Sequence, residues 1–257
     1  MSVKHIPGVE HYWWVRLMRQ KWPVELVSSV PPLAVACIAA FRFFQDAATY
    51  TLGYWSASAA LWLFLASLIK ILHTRELDKD TNAKRDHDGL RAAMLVLHAS
   101  TAHACGLAET DFSQLRVTFH RVVPPLTNAE QIEQIVPYVG GEGGGEGRTL
   151  SVRSGITGRC IRTKQLYIMH RPDDNVITYK QQLEADWGYT HADVNKLSTD
   201  RMSFMAVPIL DATGKQALGV VYLDCGQPKF FESLEIQNVI FQACGGVTQY
   251  VSERYGK

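Results

Sequence analysis

The run Gly140-Gly141-Glu142-Gly143-Gly144-Gly145-Glu146-Gly147-Arg148 invites a phosphate-binding reading, because glycine-rich loops let backbone N–H groups approach an anion closely. It lacks the Gly-Lys-Ser/Thr ending, and no helix clearly follows to supply aligned donors, so it reads as a flexible surface loop. Thr213-Gly214-Lys215 likewise lacks the following Ser or Thr and sits in a hairpin turn. Asp173-Asp174 pairs two carboxylates, as acid–base work or a divalent ion would need. Adjacent Asp residues after Pro172 more often cap a helix, and that is the reading here. The five cysteines, Cys37, Cys105, Cys160, Cys225 and Cys244, are widely spaced and form no CxxC pair, which points to free thiols in a reducing compartment. Nine histidines offer no HExxH, and His98 and His103 are five apart, on different faces of a helix, so no metal site is signalled.

The elements that position these residues divide the chain in two. The formal charge is +1, from 26 basic and 25 acidic side chains, which gives no support to a nucleic-acid-binding chain. Apolar residues at 47% and charged ones at 20% exclude a disordered chain. Only nine of the first 72 residues are Asp, Glu, Lys or Arg, against ten of nineteen from His73 to Arg91, so the two stretches address different solvents. Leu52 to Leu72 is 21 residues with one charge, Lys70, enough as a helix to span roughly 30 Å of hydrocarbon. Val24 to Phe44 is a less clean span carrying Glu25, Pro31-Pro32 and Arg42. Lys4, Arg16, Arg19 and Lys21 precede the first and Arg75, Lys79, Lys84 and Arg85 follow the second, while the loop between has no basic residue. That pattern predicts a multi-pass inner-membrane protein in contact with lipid, both termini cytoplasmic and no cleaved signal peptide. The expected layout is a cytoplasmic segment over 1–23, a two-helix transmembrane hairpin over 24–72, a helical connector over 73–87 and a cytoplasmic domain over 88–257.

Within that domain, Leu90, Ala93, Met94, Leu97, Thr101, Cys105 and Ala108 recur at helical spacing, so a helix ends near Gly106. Strand-like runs follow at Gln114–Val123, Gln131–Val139 and Leu166–His170. Ser203–Leu210 and Gln216–Asp224 flank a Gly-containing turn, as in a hairpin. Phe231–Val251 again has helical periodicity. The fold class is α+β with an antiparallel sheet flanked by helices.

Residues 88–254 resemble the GAF domain family. The resemblance rests on Ser154-Gly155-Ile156-Thr157-Gly158-Arg159-Cys160-Ile161 with Thr163-Lys164-Gln165, on Ser203-Phe204-Met205-Ala206-Val207-Pro208-Ile209, on Leu218-Gly219-Val220-Val221-Tyr222-Leu223-Asp224, and on Phe230/Phe231. It implies a six-stranded sheet with helices behind it and a pocket on the other face, covered by a lid over Arg171–Thr199. The pocket wall it implies includes Arg153, Thr157, His170, Asp174, Trp187, Arg201, Ser203 and Tyr222. Arg153 or Arg201 would offer a planar fork to phosphate or carboxylate, Trp187 a stacking face, and Thr157, Ser203 and Tyr222 orienting hydrogen bonds.

Methionine sulfoxide reductases of this fold carry one cysteine in the glycine turn and another in the lid. Here Thr157 stands in the turn and the lid has no Cys, so no enzyme activity, and no cofactor, is expected. His87-Asp88 weakly resembles a kinase phosphoacceptor segment, but no ATP-binding boxes follow. The Asn-Lys…Phe…Asp-Glu pattern of cyclic-nucleotide-binding GAF domains is incomplete, since Asn195-Lys196 precedes the hairpin, so a nucleotide is permitted and not indicated. The expected role is a membrane-anchored sensor of a small molecule, acting as a homodimer. The rivals are a nucleotide-messenger-activated, membrane-disrupting effector of an antiphage system and a GAF scaffold with a filled pocket.

Overall fold

The computed structural model describes residues 31, 34, 35, 37, 38, 49–171, 175–195, 197 and 199–255. It divides into an N-terminal unit ending at Lys84 and a C-terminal unit that takes up the chain from Arg85. Of the expected first span, 24–44, five residues are described and are helical; the rest of that expectation lies outside the described residues. The second span falls within helix α1, Thr49–Ala104. Its stretch Ala57–Arg75 is the one described helical segment long and apolar enough to cross a bilayer. Leu61, Leu63, Phe64, Leu68, Ile71 and Leu72 are all exposed there, a distribution water does not reward.

The C-terminal unit is built on one antiparallel sheet in the order β3-β2-β1-β6-β5-β4. The strands are β1 Leu115–Val122, β2 Gln131–Gln134, β3 Thr149–Ser151, β4 Tyr167–His170, β5 Ser203–Leu210 and β6 Ala217–Cys225. Helix α2, Gly155–Thr163, and α3, Val176–Trp187, lie between β3 and β5 in sequence, with a short α4, His191–Val194; α5, Leu234–Tyr255, closes the unit. The α+β architecture and the six antiparallel strands agree with expectation. The expected strand over Gln131–Val139 is shorter, ending at Gln134, with Val139 making a single bridge to Val117.

Strand alternation sorts the side chains into two cores. Val117 and Phe119 of β1, Met205, Val207 and Ile209 of β5, and Val221 and Leu223 of β6 face one side. There they meet Leu90, Met94 and Leu97 of α1 and Ile240, Cys244 and Val247 of α5. Burying each such aliphatic side chain is worth about 1.5–3 kcal/mol, so this layer carries much of the unit's stability. The opposite residues, Val122, Phe204, Ala206 and Val220, meet Ile156, Cys160 and Ile161 of α2 and Tyr179 and Leu183 of α3. A side chain at Gly219 would put its Cβ 2.3 Å from Phe119 Cζ, so the glycine makes room for that ring.

Candidate functional site

Register places four side chains in a row across the second face. Arg116 on β1 is opposite Asp224 on β6, Asp224 is opposite Phe204 on β5, and Phe204 is opposite Met169 on β4. One step along, Tyr222 joins them from β6. These residues floor a cavity of about 240 Å³. Its walls come from Tyr138, Gly143, Gly144, Gly145 and Arg148 at one end and Ile156 of α2 at another. Tyr179 and Leu183 of α3, with Tyr189, Leu197 and Arg201, complete them. The expected lid segment supplies this part of the wall, and its described residues include the helix Val176–Trp187. Its cap differs from expectation: Asn175 Oδ1 accepts from the backbone N–H of Ile177 at 2.9 Å, and Asp173 and Asp174 lie outside the described residues.

The walls carry three guanidiniums against one carboxylate. Arg116 grips Asp224 with both arms, Nε to Oδ1 at 2.8 Å and Nη2 to Oδ2 at 2.9 Å. The same guanidinium lies 4.5 Å from the Tyr138 ring centroid. Burial pulls the Arg116 pKa down, but the hydrogen bond and charge of Asp224 overcome it and hold it above its usual value. Burial pushes the Asp224 carboxyl up, against the pull of Arg116 and then Arg201. Arg201 sits 3.5 Å from Asp224 and donates to the Gln114 carbonyl at 2.7 Å. Arg148 faces solvent at the rim; its backbone N–H donates to the Gly145 carbonyl at 3.1 Å, and its guanidinium is bonded to no group among the described residues.

Four tyrosines complete the lining. Burial raises the phenol pKa of Tyr138, Tyr179, Tyr189 (to about 12) and Tyr222, so all four stay protonated and can donate. Tyr179 stacks on Phe204 with rings 5° from parallel and centroids 6.1 Å apart. Uncommitted phenol O–H groups and two guanidiniums beside an apolar ring pair suit an anion attached to a flat or apolar body.

Of the residues nominated from sequence, Arg201 and Tyr222 line this cavity. Ser203 and His170 share a register row with Cys225 and Leu115, which belongs to the helix-packed face. Ser203 Oγ is spent structurally, donating to the Gln227 carbonyl at 2.7 Å and accepting from Phe230 N–H at 3.0 Å. His170 Nε2 is 3.1 Å from Glu232. Thr157 is buried against the second core from the first turn of α2, and Arg153 is exposed between β3 and α2. Trp187 packs edge-on to Tyr167 with Arg159 over its ring at 5.4 Å, outside the cavity. Sequence reading did not nominate Arg116, Arg148, Tyr138, Tyr179, Tyr189 or Asp224. Nor did it assign the glycine run to a cavity, though three of its glycines form the rim.

Among the described residues, no three His, Cys, Asp or Glu gather closely enough to hold a metal ion. Cys160, the thiol nearest the glycine turn, is fully buried and donates to the Ala206 carbonyl at 3.6 Å. Burial pushes its pKa up, away from the thiolate that redox chemistry needs.

No known family's sequence profile matches the chain, and no curated protein matches it. Among solved structures it is similar to the GAF domain of an Acinetobacter phosphoenolpyruvate-protein phosphotransferase. Identity is 12% and TM-score 0.44, over 67% of this chain and 92% of that one. It is also similar to a type II free methionine-R-sulfoxide reductase from Thermoplasma acidophilum, at 13% identity and TM-score 0.40, over 65% of this chain and 97% of that one. A third structure, of a GAF domain, is 17% identical with a TM-score of 0.37; 55% of this chain is covered, and the chain spans 64% of that structure.

Proposed function

We propose that the chain is a membrane-anchored sensor whose cytoplasmic GAF-like unit binds a small anionic molecule, and that it catalyses no reaction. The observation that carries the reading is the cavity walled in part by the lid segment, where Arg148 and Arg201 flank phenol donors and the Tyr179–Phe204 stack. Arg116 is neutralised by Asp224 and Arg201 is paired with Asp200 at 3.2 Å, so the positive potential left for a ligand sits chiefly at Arg148, with Arg201 adding donors beside it. An open cavity of this size also speaks against the filled-pocket scaffold. Cys160, buried and high in pKa, speaks against the reductase chemistry.

The signal has a physical route. Glu146, in the glycine loop, meets His87 Nε2 on α1 at 3.0 Å. A ligand that draws the loop inward would move Glu146 and with it the hold on α1, whose earlier residues Ala57–Arg75 form the apolar candidate span. A membrane-disrupting effector would need the same exposed apolar segment, and ligand-dependent dye leakage from liposomes would favour that alternative.

The test is a thermal-shift panel on the full chain in detergent with phosphate, dicarboxylates and nucleotides, wild type against Arg148→Gln. An anion should raise the wild-type midpoint, and the variant should lose about tenfold in affinity, the worth of one charge-assisted contact. Silence across all acidic compounds would reject the reading.

A further inference from the structure

Behind the cavity wall two buried polar groups go unsatisfied. His120 lies two alternations along β1 from Arg116 and so faces the same side. It is 2% exposed, and neither ring nitrogen has a hydrogen-bond partner among the described residues. Directly opposite on β2 is Gln134, fully buried. Its Nε2 donates to the carbonyls of Val136 at 3.2 Å and Gly144 at 3.1 Å, which fixes the amide orientation. Gln134 Oε1 is left with no donor. Burial, helped by the charge of Arg148, pushes the His120 pKa down to about 3. The ring is therefore neutral, with one N–H and one bare nitrogen. Buried groups in this state oppose folding and are rare enough to require a reason.

Little separates them from the cavity. A Cβ on Gly145 would lie 2.4 Å from Gln134 Oε1, so the bare backbone of a cavity-lining residue rests directly on the orphan oxygen. Gly143, Gly144 and Gly145 have φ of +74°, +96° and +83°, conformations that residues with side chains rarely adopt. On the other side, the Tyr222 ring stands edge-on to the imidazole with centroids 6.1 Å apart.

We propose that the glycine loop is a flap over a second compartment of this cavity, where the ligand's neutral donor–acceptor group bonds His120 and Gln134 Oε1 while its acidic group meets Arg148 and Arg201. The proposal rests on the anion-binding reading and deepens it. Gln134 Oε1 and the bare imidazole nitrogen call for donors, and the imidazole N–H calls for an acceptor. The ligand class is thus an acid carrying an amide, hydroxyls or a heterocycle edge, and not a simple inorganic anion or aliphatic carboxylate.

Calorimetric titration of the full chain in detergent compares inorganic phosphate with guanosine monophosphate, which adds a heterocycle edge to the same acid group. Wild type should bind the monophosphate at least about tenfold more tightly than phosphate. His120→Phe, which fills the volume without nitrogens, should erase that margin, keep phosphate binding and melt above wild type without ligand. If His120→Phe does not fold, His120→Leu carries the same comparison. Equal affinity of wild type for both probes, or a margin that survives in the folded variant, overturns the second compartment and leaves the anion site standing. Failure of both probes on wild type rejects the anion-binding reading and this proposal with it.

Discussion

Arg116 and Arg148 line the same cavity with opposite commitments, and their substitutions should separate stability from binding. Arg116→Gln leaves the buried Asp224 carboxylate, 1% exposed as a residue, without its bidentate partner, and should cost about 3 kcal/mol in denaturant unfolding. Arg148 is exposed, so Arg148→Gln should leave the unfolding free energy within about 0.5 kcal/mol of wild type and act on affinity alone. His120 adds a pH dependence whose sign is fixed. Its folded pKa, about 3, lies below the ordinary 6.5, so the unfolded chain binds the extra proton. Its contribution is complete above pH 6.5 and is lost as pH falls towards 3, with a slope of up to about 1.4 kcal/mol per pH unit. Unfolding measured from pH 7 to pH 4 should show this limb, and His120→Phe should flatten it. The residues that sequence reading missed share a cause. β1 is buried on both faces, so hydrophobic alternation does not say which face holds the cavity. A one-position choice of face decides between Ser203, which is structural, and Phe204, which floors the site.

Among the elements, the two helices and the hairpin were legible because each has a clean period or a glycine-marked turn. Ser203–Leu210 was read to the residue. β3 is three residues long and α2 begins in a glycine-rich turn, so neither offers enough repeats for a period to emerge. The glycine run reads as a surface loop because it lacks a phosphate-loop ending; the fold puts Gly143, Gly144 and Gly145 in the cavity lining with Tyr138 and Arg148. Asn175→Ala removes the cap of the lid helix and should cost about 1 kcal/mol, seen as faster amide exchange over Val176–Trp187 with little change elsewhere. Glu146→Gln removes the charge opposite His87 and should leave ligand affinity within about threefold of wild type, since neither partner of this pair lines the cavity. It should abolish the ligand-dependent change in amide exchange around His87. Retention of that change would mean that the signal leaves the cavity another way.

Across the whole chain, the apolar exposed face of Ala57–Arg75 contrasts with the charged connector and the sheet-based unit that follow it. The exposed Leu61, Phe64, Leu68 and Ile71 predict that the full chain pellets with membranes and resists extraction by high salt or alkali. The C-terminal unit, with its two apolar layers on one sheet, meets the requirements of a water-facing domain. The proposal that the cavity binds an anion is tested most directly by asking what the protein carries. Full-length chain purified gently from its native membrane, then denatured, should release a small molecule identifiable by mass spectrometry. The prediction is an acidic compound with an aromatic or heterocyclic body, near-stoichiometric in wild type and strongly depleted in Arg148→Gln. A cationic or uncharged compound, or equal retention by both proteins, would contradict it.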